Sequence, residues 1–260
     1  MTSKAYIFYD NLLASPLVDS ITASTESAGF SVANAYDWRT TSYWSPTASG
    51  VQTITAVFDS AVTADYFAIY RHNLGAIGGT VKLQYSVDSG SSWLDATTST
   101  TLTDNQLKIS LFVSVSATHW RVYFNLTTTG FYCGVLMFGE AFNLYRGMPP
   151  SFVLPHQARK NTIINQKTEG GQFAGRAITS RGAKTTILNK AIPANWYREH
   201  VEPFVLHAEK YPFLFSWNHT DRPADACWCE TDGDIPDAPV DENYRQNLNI
   251  PVNCLLSGVL

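Results

Sequence analysis

Aromatic rings beside short polar groups occur twice in the first half of the sequence. They appear as Tyr36, Asp37, Trp38, Arg39, Tyr43 and Trp44, and again as Tyr70, Arg71, His72 and Asn73. That mixture suits a saccharide, whose apolar face stacks on a ring while its hydroxyls take oriented hydrogen bonds. Asp37, Trp38, Trp44, Arg71, His72 and Asn73 are the candidate glycan-contacting residues. The same types also serve as plain structure, with Trp38 and Trp44 as core and Arg71 tying loop carbonyls.

Other constellations carry less chemistry. Ser86-Val87-Asp88-Ser89-Gly90-Ser91-Ser92-Trp93 fits S-x-D-x-G-x-x-W and resembles the Asp box of sialidases and related propellers. The resemblance implies a hairpin turn with a Trp packed beneath it, a structural role that suits Asp and Gly. Cys227 and Cys229 share one face of a strand, but no second ligand pair stands at zinc-like spacing, so they read as small buried residues. His200 and His207 lie seven apart on a helix without an H-E-x-x-H pattern. The acidic run Asp232, Asp234, Asp237, Asp241 and Glu242 departs from the EF-hand spacing and reads as a solvated loop. There is no G-x-S-x-G, and no cysteine sits where its pKa would fall. The expectation is a protein without catalysis, metal or cofactor.

The elements that must position these residues are strands. Val51 to Phe58 and Thr80 to Val87 alternate apolar and polar residues with period two, and Tyr66 to Arg71, Leu107 to Val113 and His119 to Asn125 are further short runs. Period two marks half-buried strands, and their spacing with turn residues between them predicts a sandwich or jelly roll. Beyond Arg146-Gly147-Met148-Pro149-Pro150, three more strands are expected, Ile163 to Thr168, Gln172 to Thr179 and Lys184 to Asn189, with turns at Gly170-Gly171 and Arg181-Gly182. One helix follows Pro193, with Tyr197, Val201, Phe204, Val205 and Ala208 on one side, and Pro203 should kink or split it. Tyr211 to Trp217, Ala226 to Thr231 and Asn247 to Leu256 complete the strands.

Composition supports this division. Of 260 residues, 45% are hydrophobic, 13% aromatic and only 15% charged, a balance that suits sheets and excludes a disordered chain. Residues 1–145 hold six Lys/Arg against ten Asp/Glu, and residues 146–260 hold twelve of each. The shift predicts domains at 1–147 and 148–260. No basic run provides a nucleic-acid footprint. No stretch approaches the roughly 18 apolar residues of a membrane span, and no leader pattern opens the chain. Synthesis in the cytoplasm, with reduced cysteines, is expected.

Several segments resemble known families. Val32-Ala33-Asn34-Ala35-Tyr36-Asp37-Trp38 with Thr40 to Pro46, then Gln52 to Asp59, Ala64 to Arg71, Val81 to Trp93 and Ala117 to Tyr123, resemble in order the strands of discoidin (coagulation-factor type C) domains. That likeness covers residues 10–145 and implies a galactose-binding-like jelly-roll sandwich. The order of strands, helix, Pro212-Phe213-Leu214-Phe215-Ser216-Trp217, a Cys-bearing strand and a long last strand is similar to bacteriophage distal-tail and minor-tail proteins. This second likeness implies a tail-tube-like β-sandwich or barrel with one packed helix. It also implies a homo-oligomeric, usually hexameric, ring in the virion tail, made in the host bacterial cytoplasm, with tail-tube and tail-hub proteins as partners. The expectation drawn from both is a mainly β tail-tip subunit with a peripheral domain for host-surface glycan. The alternative is a carbohydrate-binding module or lectin-like adhesin.

Overall fold

The computed structural model describes residues 5–155, 157–236 and 245–256. The described chain is mainly β, antiparallel throughout, and forms two units: residues 10–141, and residues 1–9 together with 142–260.

In the first unit the alternation read from the sequence sets the inward faces. Ile54, Ala56 and Phe58 are buried while Thr53, Thr55 and Val57 are less so, and Val81 and Leu83 are buried likewise. The strand Gly50–His72 is the spine of the sheet. Its first part pairs with Val18–Ala23 on one side and Lys108–Leu126 on the other. The register then shifts between Val57 and Val62 and again between Ala64 and Tyr66, after which the strand also takes Cys133–Gly139 as a neighbour. Such irregularities bend a strand and re-aim its side chains. The sheet thereby folds over its own inner face as a jelly-roll-like sandwich. Trp120 meets Phe138 across that core at 5.4 Å, and Phe124 meets Phe131 at 5.0 Å.

The second unit is a seven-stranded sheet in the order Arg159–Lys167, Phe173–Pro193, Arg245–Leu256, Cys227–Thr231, Phe213–Ser216, Tyr6–Phe8, Phe142–Asn143. Two features differ from the sequence reading. The expected turn at Arg181-Gly182 is absent, because one strand runs unbroken from Phe173 to Pro193. Its first half pairs with Arg159–Lys167 and its second with Arg245–Leu256, so the chain changes partner there without reversing. Residues 5–9 also belong here and not with the jelly roll. Tyr6, Ile7 and Phe8 pair with Ser216, Phe215 and Leu214, so the division is not a single cut at residue 147.

The helix appears where Pro193 predicts it, over Ala194–Ala208. Its middle, Tyr197–Val201, is a π turn closed by the Glu202 amide on the Tyr197 carbonyl. Pro203 has no N–H and its ring crowds the carbonyl four residues back. The widened turn before it relieves that clash, so the helix continues and is not split. Val201, Phe204 and Ala208 are buried, as their spacing requires, and Phe204 meets Phe213 edge-on at 4.9 Å. No helix of the described residues is long and apolar enough to cross a membrane.

Candidate functional site

The loops holding the six candidate residues converge at one end of the jelly roll. Asp37 folds its own loop: its Oδ1 accepts from the Arg39 amide at 3.0 Å and its Oδ2 from the Ser42 hydroxyl at 2.7 Å. Arg71 ties that loop to the spine strand, its Nε donating to the Thr40 carbonyl at 3.1 Å. Gly134 permits the close approach, since a Cβ there would stand 2.9 Å from the Ser42 carbonyl and 3.2 Å from the Arg71 Cβ. Asn73 pins the next loop, its amide donating to the Gly130 carbonyl at 2.8 Å and accepting from the Tyr132 amide at 2.9 Å.

Two candidates face away from any ligand. Trp44 is fully buried, its indole N–H donating to the Thr25 carbonyl at 3.1 Å and its ring lying 5.9 Å from Phe131. Its backbone is fixed by paired amide–carbonyl bonds with Cys133. His72 is also buried. Its Nδ1 accepts from the Leu74 amide at 3.3 Å, which leaves Nε2 to donate to the Gln106 carbonyl at 2.9 Å. Burial pushes its pKa down, so the ring is a neutral loop tie. Both residues are corrected from ligand contact to structure, since a side chain enclosed by core cannot meet a sugar.

What replaces them is a row of rings. Tyr43 stacks on Phe30 at 4.7 Å and meets Tyr132 at 5.2 Å. Tyr132 is 38% exposed, and Phe30, Tyr43 and Trp38 are half-buried. Trp38 and Arg71 both hold left-handed backbone, with φ of 63° and 55°. Such conformations cost on the order of 1–3 kcal/mol each and tend to collect where a surface is organised for a task. Tyr43 stood out in the sequence, whereas Phe30 and Tyr132 did not, because neither lies among the charged and amide side chains that marked the two candidate clusters.

The Asp-box segment forms the expected turn. The Asp88 carboxylate accepts from the Ser86 and Ser92 hydroxyls at 2.6 and 2.5 Å and from the Ser92 amide at 2.8 Å, bonds that hold its pKa down to about 2. Trp93 lies under the Arg121 guanidinium at 4.2 Å, and Arg121 in turn donates to Gln84 at 2.7 Å. His200 and His207 have separate partners, the Trp196 ring at 4.7 Å and the Pro212 carbonyl at 3.2 Å. In the acidic run, Asp232 pairs with Lys184, while Asp237, Asp241 and Glu242 lie outside the described residues.

No protein-family model matches the chain, and no curated protein does. Several solved structures are similar to its jelly-roll half. A pectin-binding carbohydrate-binding module is 18% identical, with 46% of this chain and 89% of that one covered and a TM-score of 0.39. The CBM32 module of AlyQ, in complex with 4,5-unsaturated mannuronic acid, is 21% identical over 50% of this chain and 96% of its own, at 0.40. A CBM32 module from Clostridium perfringens, in complex with GalNAc-β-1,3-galactose, is 22% identical over 46% and 94%, at 0.39.

Proposed function

We propose that the jelly-roll unit is a glycan-binding module acting without turnover. The observation that carries this reading is the half-exposed row Phe30, Tyr43 and Tyr132, with Trp38 half-buried on the loop that leads to Tyr43, set on loops that Asp37, Arg71 and Asn73 tie down. A preorganised ring platform meets a sugar face at little entropic cost. Arg71 spends Nε on Thr40, and its terminal nitrogens, which bond no described residue, supply donors for hydroxyl or carboxylate groups. A glycan array followed by calorimetry tests the reading. Tyr132→Ala is expected to weaken binding about tenfold while leaving the melting temperature nearly unchanged. An array without hits, or full affinity in Tyr132→Ala, would remove the proposal.

A second observation favours self-assembly by the other unit. The hairpin Arg159–Lys167/Phe173–Pro193 ends the sheet with an open edge, and it exposes Ile163, Ile164, Phe173 (66%) and Ile178. An open edge bearing apolar side chains pairs readily with another chain. We propose that copies of the chain join through this hairpin into a closed ring, hexameric by resemblance. On this reading the chain is a bacteriophage tail-tip subunit between tail-tube and tail-hub proteins, with the jelly roll presented to host-surface glycan. Light scattering should return a mass several-fold that of the chain, and Ile164→Lys with Phe173→Asp should return the monomer. A monomeric wild-type chain at tens of micromolar (~10⁻⁵ M, a concentration at which a stable interface associates) contradicts ring assembly.

A further inference from the structure

Three of the four cysteines meet in the core of the second unit. Cys227 and Cys229, two residues apart, point to the same face of the strand Cys227–Thr231. Cys254 on the neighbouring strand stands directly opposite Cys229 in the antiparallel register. The Sγ atoms of Cys227 and Cys229 are 3.5 Å apart, those of Cys229 and Cys254 are also 3.5 Å apart, and all three lie within 4.8 Å of one another. All three residues are buried, among Phe213, Phe215, Ile250 and Val252. None is in a disulfide.

Two sulfur separations of 3.5 Å and a third of at most 4.8 Å leave a point no more than about 2.4 Å from every sulfur. That matches the roughly 2.3 Å of a zinc–thiolate bond. Same-face spacing on one strand and direct opposition across the ladder bring the three sulfurs to a common point. Cys133 shows the contrast: it is equally buried and alone, its thiol turned to the Val135 carbonyl at 3.6 Å. We infer that Cys227, Cys229 and Cys254 form a three-thiolate site for a soft metal ion, with Zn²⁺ as the fitting occupant. Binding releases three thiol protons to solvent and creates three negative charges. A divalent ion cancels two of these and a monovalent ion only one, which in an apolar core favours zinc over copper(I). The strands that carry the ligands are central in the sheet, so the ion would clamp the elements that hold the unit together.

The test is a Co²⁺ titration of the reduced, chelator-treated full chain, read by its thiolate-to-metal charge-transfer absorption. The band should saturate at one Co²⁺ per chain and be displaced by Zn²⁺. Cys254→Ser should lower it by about tenfold or more, and Cys133→Ala should leave it unchanged. If Cys254→Ser does not fold, the wild-type titration decides alone, and an absent band overturns the site. A band that persists in a folded Cys254→Ser overturns it equally.

Discussion

Replacing Trp44 by alanine is expected to destabilise the whole jelly-roll unit strongly, because the ring belongs to its core. The side chain is fully enclosed, and its rings touch Phe124 and Phe131 at 5.7 and 5.9 Å. Its removal leaves a large cavity and an orphaned Thr25 carbonyl that had accepted the indole N–H. Truncating a buried Trp costs about 3–5 kcal/mol, a large share of the roughly 5–15 kcal/mol that stabilises an ordinary domain. A fall of about 10 °C or more in the melting transition of this unit should result, with loss of near-ultraviolet dichroism. Phe at this position should restore most of the packing but not the hydrogen bond, recovering more than half of the loss. If Trp44→Ala melts within about 2 °C of wild type, the enclosed placement of this ring is wrong.

Gly139→Ala is the second large effect, and it acts through one atom. A Cβ at Gly139 would stand 2.2 Å from the Asp10 carbonyl oxygen and 2.7 Å from its Oδ2. That carbonyl already accepts the Tyr66 hydroxyl at 2.7 Å, and the Asp10 carboxylate accepts the Glu140 amide at 3.1 Å. The Asp10 carboxylate can turn aside but its carbonyl is backbone, so the chain at Asp10 must move and both bonds suffer. Forced overpacking of this kind costs on the order of 3 kcal/mol. Gly147→Ala, where nothing lies within 4 Å of the added carbon, serves as the control and should change stability by less than about 0.5 kcal/mol. Equal denaturation midpoints for the two variants would contradict the close approach.

These two cases show what the sequence made legible. Period-two alternation alone places Ile54, Ala56, Phe58, Val81 and Leu83 inward, because strand geometry fixes which face each residue takes. The spacing of Val201, Phe204 and Ala208 did the same for the helix. Residue type alone could not separate Trp44 from Tyr132, since an aromatic ring is equally at home in a core and on a platform. What separates them is the partner across the sandwich. Cys254 was invisible for a related reason: its place beside Cys229 is a matter of strand register across 25 residues of sequence. The long-range pairing of Tyr6–Phe8 with Phe213–Ser216 likewise leaves no local signature.

That last pairing has a consequence for synthesis. Tyr6 to Phe8 are made some 200 residues before their partners Leu214 to Ser216. At about 5–20 residues per second, the strand waits on the order of ten seconds or more at the ribosome. During that wait the whole of residues 10–141 emerges and can fold, since its sheet needs nothing made later. The waiting strand also pairs with Phe142–Asn143, so the entry and exit of the early-folding segment close side by side. A segment whose ends return to adjacent strands of its host can be exchanged for another folded segment at those two points.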